Sequence, residues 1–396
     1  MHERIIILGG GFAGLAAVGE LARRGPPGLA VHLVDRSEDS EFSPLLPDLI
    51  SARVSARHMR HPLRPHCERL GARFTQAHVR RIMPDEVAVE TDAGRFSADA
   101  LLICIGCENN YFGDQQARAA SIGLKTLEEG LALRRETRRW AERLLAGAPS
   151  PVVVVGGGYT GFEIASHIAY TLRRLTGRTY DELRRACPLL IVDKAPQPLG
   201  NVSGSVRDWA VELIAQFGIE LRTGCTVERF EEDGVALSDG TQLPGALVAW
   251  AAGVTPGEAV GALEAPKGRR GRLEVDEFLR LPGRERVFAA GDVAAAVRPG
   301  DDGPLRMAVQ FSLAGGVRAA RNALRALAGA TLEPFAPPDL GYVVPLAPGK
   351  GAGVVMGWEV RGRLPSLLHY AMCSARSWSW KDRFGVLADL LRRDVA

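Results

Sequence analysis

The stretch that decides the fold is residues 5–14, which read IIILGGGFAG, and residues 152–161 repeat its pattern as VVVVGGGYTG. Each copy joins a short β-branched or aliphatic run, a G-x-G-x-x-G turn and the start of a helical pattern. Behind the first copy, Leu15, Val18 and Leu21 recur at helical spacing before Arg23-Arg24-Gly25 ends the pattern. The sequence therefore predicts the same strand, turn and helix twice in one chain.

The residues of the first copy suit a dinucleotide. Gly9 permits the tight turn, Gly11 lets the backbone approach a diphosphate, and Gly14 lets the helix lie close to its strand. The helix N-terminus attracts anions because its first N–H groups have no partner in the helix. A strand, Val31–Val34, then delivers Asp35, which stands 21 residues after Gly14. That spacing is typical of a carboxylate that accepts both ribose hydroxyls.

The second copy keeps Gly156, Gly158 and Gly161, and a strand leads to Asp193, which follows 32 residues after Gly161. About ten residues are therefore inserted relative to the usual spacing. A carboxylate at the strand end repels a 2′-phosphate and favours NADH over NADPH, although Lys194 beside it weakens that preference. A decayed duplicate without a ligand is the alternative for this copy.

The order of these elements predicts an α/β protein with two Rossmann-like dinucleotide-binding domains, a two-dinucleotide flavoprotein fold, and a small C-terminal α+β region. The first domain is expected to be discontinuous, at residues 1–115 and 245–330. The second is expected at 116–244, and it begins with a charged amphipathic helix at 125–145. Gly/Pro-rich strands and a Trp- and Arg-bearing tail follow at 331–396.

Composition narrows the class of protein. The chain has 396 residues, 46% hydrophobic and 24% charged, with a net charge of +3, which gives no reason to expect a nucleic-acid partner. Six scattered cysteines favour a reducing, cytoplasmic compartment over a disulfide framework. The apolar run at 5–8 is too short for a signal peptide, and the uncharged run at 240–257 is broken by Gly and Pro. We therefore expect no export and only peripheral contact with a membrane.

Several further blocks occur in an order that is specific to one group of flavoproteins. They are Phe42–Pro47, Leu101–Gly106, Asn109–Gly113, Leu124–Glu129, Gly156–Glu163, Trp250–Val254 and Phe288–Asp292. Together with the first glycine motif, they resemble type II NADH:quinone oxidoreductases over about residues 3–330. The blocks that begin at Phe42 and Asn109 carry the resemblance to this family within the wider superfamily.

The resemblance implies that the first domain binds FAD and the second binds NADH. It implies that Asp35 holds the adenosine ribose, Asp292 the ribityl and diphosphate region, and Gln310 the edge of the isoalloxazine ring. Glu163 is the family's glutamate near the nicotinamide and flavin, and it relays protons or orients the cofactor; a solvated helix acid is the alternative. Glu163 and Gln310 are thus the expected catalytic residues. The expected cofactor-binding set is Gly9, Gly11, Gly14, Asp35, Pro44, Leu45, Gly106, Asp292, Gln310, Gly156, Gly158, Tyr159, Thr160, Gly161, Glu163, Asp193 and Gly253.

The same resemblance implies that hydride passes from NADH to FAD and that a quinone then takes two electrons. The family usually carries two glutamines later in the helix that Gln310 opens, and here Ala314 and Gly315 replace them. The electron acceptor thus stays open, and an NAD(P)H-dependent reductase with a non-quinone acceptor is an alternative. A non-enzymatic redox sensor is a further one.

The C-terminal tail favours a membrane surface. Leu364, Leu367, Leu368, Ala371, Met372 and Ala375 follow helical spacing, with Trp378 and Trp380 beyond them. Residues 361–396 hold seven Arg or Lys against three Asp. This suits a helix in an anionic headgroup layer on the cytoplasmic face of the membrane. A helix that packs on the protein's own core, or at the interface of a homodimer expected by analogy alone, is the alternative.

Cysteine chemistry gives two competing interpretations. Cys104 and Cys107 form a C-x-x-C, which raises a disulfide reductase, but they close a strand and are expected to be buried small residues. A sulfide:quinone reductase would use cysteines such as Cys107 and Cys373 near the flavin. Such enzymes usually lose the second glycine motif, and this chain keeps it. The eight histidines show no metal-ligand spacing.

Overall fold

The computed structural model describes residues 3–200 and 202–393. The described residues exclude 1, 2, 201 and 394–396, which the sequence analysis had assigned to the predicted domains. Asp394, one of the three Asp counted in residues 361–396, is among them. The chain divides into two compact units. Unit 1 holds Met1–Ser40, His61–Glu108 and Val254–Pro338. Unit 2 holds Glu41–Arg60, Asn109–Gly253 and Asp339–Ala396.

The strands are numbered in chain order. They are β1 Arg4–Leu8, β2 Ala30–Asp35, β3 Asp39–Glu41, β4 Arg60–Pro62, β5 Arg73–Gln76, β6 Val79–Met83, β7 Ala88–Thr91, β8 Gly94–Ser97, β9 Ala100–Ile103, β10 Glu108–Asn109, β11 Val152–Val155, β12 Leu189–Asp193, β13 Ile219–Thr223, β14 Val227–Glu231, β15 Gly234–Leu237, β16 Gln242–Pro244, β17 Leu247–Trp250, β18 Val254–Thr255, β19 Val287–Ala289, β20 Gly341–Ala347, β21 Lys350–Val355 and β22 Trp358–Gly362.

The α-helices follow the same numbering. They are α1 Phe12–Arg24, α2 Leu46–Ile50, α3 Leu63–Arg69, α4 Gln115–Ala120, α5 Leu127–Leu145, α6 Tyr159–Thr176, α7 Tyr180–Ala186, α8 Gly204–Gln216, α9 Glu258–Gly261, α10 Val309–Leu327, α11 Arg363–Arg376 and α12 Trp380–Arg393. None of these described helices is long and apolar enough to cross a membrane.

Unit 1 is built on a five-stranded sheet in the order β19-β9-β1-β2-β5. All four neighbouring pairs are parallel, and β1 lies between β2 and β9. The side chains of residues 5–8 in β1 are fully buried. Strands that are buried on both faces read as continuous aliphatic runs, which is why residues 5–8 carry no polar alternation. The turn after β1 therefore lies where the strand order changes direction, the usual ligand position in such sheets.

Unit 2 repeats this arrangement with a four-stranded parallel sheet in the order β13-β12-β11-β17. Strand β11, whose four valines are all buried, lies between β12 and β17. Each unit also carries a three-stranded antiparallel sheet, β6-β7-β8 in unit 1 and β14-β15-β16 in unit 2. A further antiparallel sheet, β20-β21-β22, belongs to unit 2.

Small residues let helix α10 lie closely against α1 in unit 1. A Cβ atom added at Gly316 would run into the carbonyl oxygen of Ala13. Ala319, Ala320 and Ala323 on the same helix are fully buried. The Ala-rich composition of residues 314–328 therefore reflects close helix packing, which requires that no side chain larger than a methyl group separates the two helices.

Helix α6 has a different environment in unit 2, where it contacts α2, α5 and β20. Helix α5 begins with a capping box, since Thr126 accepts from the Glu129 N–H and the Glu129 carboxylate accepts from the Thr126 N–H. Its buried residues are uncharged, so the polar neighbours of α6 come from other elements.

The predicted strands and helices around both glycine motifs are confirmed, whereas α2, α3, α4, α7 and α9 were not predicted. The inserted residues before β12 form α7, which begins with a capping box between Thr179 and Glu182. Helices α8 and α12 were also missed. Residues 41–60 and 339–396 belong to unit 2, whereas the sequence prediction divided the chain by expected cofactor. That assignment of cofactors to domains stays a prediction.

Candidate functional site

The first glycine turn leaves space where the motif predicts a ligand. Gly9 has a φ of +99°, and a Cβ atom there would lie 2.5 Å from the carbonyl oxygen of Cys104. A Cβ atom at Gly14 would run into the carbonyl oxygen of Gly9. At Gly11 the same test meets nothing within 4 Å. The turn thus needs glycine for its own geometry at Gly9 and Gly14, and Gly11 opens a cradle at the N-terminus of α1.

The N-cap residue of α1 is Gly11, which has no side chain that could cap the helix. A helix N-terminus of this kind attracts an anion such as a diphosphate. Asp35 closes the cradle from the end of β2. Its Oδ2 accepts from the Gly10 N–H at 2.6 Å and its Oδ1 from the Ser37 N–H at 2.7 Å. Burial raises the pKa of Asp35, although these N–H groups and Arg36 oppose the rise.

The second glycine turn repeats this geometry in unit 2. A Cβ atom at Gly156 or Gly161 would run into a backbone carbonyl group, whereas at Gly158 it meets nothing within 4 Å. Gly158 is the N-cap of α6 and again makes no side-chain cap. The Asp193 carboxylate accepts from the Gly157 N–H at 2.5 Å and from the Ala195 N–H at 2.7 Å. The equal geometry argues against decay of the second copy.

Two more predicted glycines occupy equivalent places. Gly106 follows β9 with a φ of +68°, and Gly253 follows β17 with a φ of +129°. Neither has a heavy atom within 4 Å of an added Cβ atom. In each unit, this strand lies beside the motif strand. Tyr159 and Thr160 begin α6 directly after Gly158, and the ring of Tyr159 lies 6.1 Å from that of Tyr342.

Asp292 lies in a tight turn of unit 1, between β19 and α10. The Ser312 hydroxyl on α10 donates to its Oδ1 at 3.5 Å. Its backbone carbonyl accepts from Arg272 Nε at 3.0 Å and from Cys107 Sγ at 3.4 Å. Arg272 also donates to the carbonyl groups of Leu305 and Ala294, so one buried guanidinium fixes the whole turn.

A cavity beside that turn is lined by Gly291, Asp292 and Ser312, together with other residues of α10. Gln310 lies in the first turn of the same helix. Pro44 and Leu45, by contrast, belong to a 3-10 turn of unit 2, where Pro44 is half-buried and Leu45 is fully buried.

Glu163 projects from the second turn of α6 and is half-buried. Burial raises the pKa of Glu163 well above its usual value, and the nearby charge of Asp48 raises it further. The carboxyl group therefore keeps its proton to a higher pH than an exposed glutamic acid does. A perturbed carboxyl group of this kind is typical of a functional site, which favours a functional role for Glu163 over that of an ordinary solvated helix acid.

The neighbour of Glu163, Asp48, belongs to a buried polar cluster that the sequence did not reveal. Asp48 is 1% exposed, and its Oδ1 accepts from the Tyr370 hydroxyl at 2.8 Å. Arg53 Nε lies 4.0 Å from the same oxygen, and the Arg53 guanidinium lies 5.3 Å from the centre of the Tyr370 ring. His167, one turn after Glu163 on α6, lies 2.7 Å from the Ser51 hydroxyl through Nδ1. A signal for this cluster existed, because Asp48 interrupts an otherwise apolar run.

Two of the cysteines that raised other chemistries, Cys104 and Cys373, are not activated as thiolates. Cys104 is buried, and burial raises the pKa of its thiol to about 12. Burial and the charges of Asp48 and Glu163 raise the pKa of the Cys373 thiol far above its usual range. Reactive cysteines need the opposite environment, near positive charge. Cys107 donates to the carbonyl oxygen of Asp292, and all six cysteines are free.

Comparison with known proteins defines the class of this chain. A family model of the pyridine nucleotide-disulphide oxidoreductases matches residues 3–326, and the chain belongs to that family. The type II NADH:quinone oxidoreductase of Staphylococcus saprophyticus is 25% identical over 375 residues, which cover 91% of this chain and 92% of that protein. The protein of the same name from Staphylococcus aureus (strain NCTC 8325) is 25% identical over 376 residues, with the same coverage.

Solved structures agree on the fold. The structure of NDH2 from Plasmodium falciparum in complex with NADH matches with a TM-score of 0.85 at 16% identity, covering 100% of this chain and 98% of that one. The sulfide:quinone oxidoreductase of Aquifex aeolicus matches with a TM-score of 0.78 at 19% identity, covering 99% and 94%. The predicted α/β fold and the resemblance to type II NADH:quinone oxidoreductases are confirmed. The role of each site residue stays a prediction.

Proposed function

We propose that this chain is an FAD-dependent NADH dehydrogenase that passes two electrons to a quinone. The observation that carries the proposal is the twin cradle: in each unit a glycine opens space at an uncapped helix N-terminus, beside a strand-end aspartate. Two such cradles fit two dinucleotides. The proposal that NADH is the electron donor and a quinone the acceptor is supported by the names of the relatives, because both Staphylococcus proteins are called NADH:quinone oxidoreductases.

In unit 1, the residues fit FAD. The N–H groups that open α1 face the position of the diphosphate, and Asp35 is placed for the adenosine ribose. Asp292 is held for the ribityl region by Ser312 and Arg272, and Gln310 stands two residues before Ser312. When bound, FAD accepts the hydride from NADH and returns two electrons to an acceptor.

In unit 2, the residues fit NADH. Gly158 exposes the N-terminus of α6 to the diphosphate, and Asp193 disfavours a 2′-phosphate. Glu163, two residues after Gly161, holds a proton on a half-buried carboxyl group. Reduction of a quinone to a quinol consumes two protons, and a carboxyl group with a raised pKa is a proton donor of the right kind for that step.

An anaerobic titration tests the proposal. Purified protein is expected to be yellow, to bleach when NADH is added, and to recover its colour on addition of a short-chain quinone. NADPH is expected to bleach it only at higher concentration. Failure of NADH to bleach the flavin would overturn the assignment of an NADH dehydrogenase.

A non-quinone acceptor is the second candidate, and one observation favours it. Gly315, which replaces a family glutamine, is buried in unit 1, and a Cβ atom there would lie 3.5 Å from Ala290 and 3.7 Å from the Phe335 ring. Glycine at this position offers no side-chain amide to a quinone. Bleaching by NADH without recovery on quinone would select this candidate.

We also propose that the C-terminal helices dock on an anionic membrane surface. Leu364 and Leu367 of α11 are 60% and 66% exposed. On α12, Trp380, Phe384 and Leu391 are 71%, 66% and 73% exposed at helical spacing. Basic residues flank these apolar faces, and an interfacial helix combines these two features. The alternative, a face covered by a second copy of the chain, uses the same residues.

Flotation with vesicles separates the two. Binding to phosphatidylglycerol vesicles is expected to exceed binding to phosphatidylcholine vesicles and to weaken with salt. The double variant Trp380→Ser, Phe384→Ser is expected to lose binding, whereas Met356→Ser, at an equally exposed apolar residue on another element, is expected to keep it. A dimer in sedimentation that the same double variant dissociates, with no vesicle binding by either protein, would select the homodimer.

A further inference from the structure

The buried polar cluster of unit 2 is closed from three sides around Asp48. Tyr370 on α11 donates its hydroxyl to Asp48 Oδ1 at 2.8 Å. Arg53 Nε lies 4.0 Å from the same oxygen. The Ser51 hydroxyl bridges the backbone carbonyl of Asp48, at 3.4 Å, and His167 Nδ1, at 2.7 Å. Because Glu163 and His167 are one turn apart on α6, these contacts bring the face that carries Glu163 to Asp48.

The other elements around Glu163 add little charge. The buried face of α5 has no charged residue, and β20 brings Tyr342. His167 lies on α6 itself, and burial together with Arg53 keeps its pKa well below the usual value, so it is neutral. Cys373, one turn after Tyr370 on α11, stays a thiol. Arg134 of α5 and Arg376 of α11 are half-buried, and Asp48 is the charged group that raises the pKa of Glu163, with Arg53 beside Asp48.

We propose that Asp48 and Glu163 share one proton, and that the Tyr370 hydroxyl, by donating to Asp48, places this proton on Glu163. The inference rests on the proposed function for its purpose, since the stored proton is the one that quinone reduction would consume. Asp48, Tyr370 and Arg53 are positioning residues in this scheme. Glu163 is the group that gives and regains the proton.

The physical reason is that two neighbouring carboxylates do not both ionise readily in a buried site. A hydrogen bond donated to a carboxylate favours its ionised form, and so does a nearby guanidinium. Asp48 has both partners. The carboxyl group without them, Glu163, takes the proton. Protons of such a pair titrate as properties of the pair, so a change at either partner moves the other.

Infrared spectroscopy of the intact protein tests this without an electron acceptor. A protonated carboxyl group has a carbonyl band that disappears on ionisation, and the band that Glu163→Gln removes is assigned to Glu163. In wild-type protein we expect that band at neutral pH. In Asp48→Asn, loss of the like charge is expected to shift the pH at which the band disappears downward by about 1 to 3 units.

Tyr370→Phe keeps the ring and covers the case that Asp48→Asn fails to fold. Without the donor, the proton is expected to move toward Asp48, so the Glu163 band weakens and a second carboxyl band appears. Tyr180→Phe is the matched control, because its hydroxyl interacts with Arg173 and not with Asp48. An unchanged Glu163 band in both Asp48→Asn and Tyr370→Phe would overturn the proposal.

Kinetics then separate this proposal from the proposed function. In active enzyme, the alkaline limb of quinone turnover is expected to shift in Asp48→Asn by the same amount as the infrared band. Wild-type protein that fails to reduce quinone would refute the function and leave the infrared result standing. A shifted band with an unshifted pH profile would overturn the claim that this proton serves the reaction.

Discussion

The two helices that follow the glycine motifs begin alike, but the pKa of the glutamate on each helix is shifted in opposite directions. Both α1 and α6 begin at an uncapped glycine, and both lie on a parallel sheet. In unit 1, Glu20 of α1 is 6% exposed and pairs with Arg321 at 2.6 Å and with Arg23 at 2.6 Å. Burial alone would raise its pKa, but these two arginines outweigh it and lower the pKa.

Glu163 of α6 has the opposite environment. It meets a carboxylate in place of the arginines, and its pKa is raised. Helix α10 covers α1 with small residues, whereas α2, α5 and β20 lie against α6. The comparison shows that the two helices share their motif, and that the helix face beyond the first turn determines whether the pKa of a carboxyl group on it is lowered or raised.

The largest expected effect comes from alanine at the last glycine of each motif. Gly14→Ala and Gly161→Ala both place a methyl group on a backbone carbonyl. We expect purified Gly14→Ala to contain at most about one tenth of the flavin of wild type. We expect Gly161→Ala to keep its flavin but to need about tenfold more NADH for bleaching. Absorbance spectra during NADH titration measure both.

Gly19→Ala is the matched control for these variants, because it lies inside α1 with nothing within 4 Å of an added Cβ atom. It is expected to be neutral or to stabilise the protein by about 0.5–1 kcal/mol. If Gly161→Ala loses flavin and Gly14→Ala keeps it, the assignment of the two cofactors to the two cradles is reversed.

The second prediction replaces the carboxyl group of one glutamate in each helix with an amide. Glu20→Gln leaves three arginines, Arg23, Arg24 and Arg321, without their carboxylate, so we expect a loss of about 1–3 kcal/mol in the free energy of unfolding. Glu163→Gln resembles the protonated acid, so we expect stability within about 0.5 kcal/mol of wild type and quinone turnover at least about tenfold slower. Urea unfolding and steady-state rates measure the two. Equal losses of stability would mean that Glu163 is also a structural ion.

The sequence predicted the cradles well because their determinants are close in the sequence: one strand, one turn, one helix and the aspartate at the end of the next strand. The spacing from Gly14 to Asp35 predicted both β2 and the aspartate at its end, and the structure has both. The Asp48 cluster could not be found this way, since Asp48 and Tyr370 are 322 residues apart and meet only after folding. Helix α7 was missed although the capping box of Thr179 and Glu182 was readable in the inserted residues.

The third prediction compares the pH dependence of the units. Burial lowers the pKa of His369 in unit 2 and of His32 in unit 1 to about 4, from an ordinary value of 6.5. Both are neutral when folded, so an unfolded chain binds more protons between pH 6.5 and 4. The stability they contribute is present above pH 6.5 and is lost as the pH falls toward 4.

Tryptophan fluorescence isolates one unit, because all six Trp residues lie within the segments of unit 2. Its unfolding midpoint in urea is expected to fall on acidification. His369→Gln is expected to remove about 1–3 kcal/mol of that dependence. His32→Gln, which can keep its contact with Thr75, is the control in unit 1 and is expected to leave the signal of unit 2 unchanged. An equal effect of both variants would mean that the units unfold together.

The smallest effect concerns the basic residue after each strand-end aspartate, Arg36 after Asp35 and Lys194 after Asp193. Lys194 is exposed, so its attraction for a 2′-phosphate is screened by solvent. Lys194→Ala is expected to lower kcat/KM for NADPH relative to NADH by about 2- to 5-fold, and Arg36→Ala to leave that ratio unchanged. An equal fall for both nucleotides in Lys194→Ala would show that the lysine attracts the diphosphate, and Asp193 alone would then discriminate between NADH and NADPH.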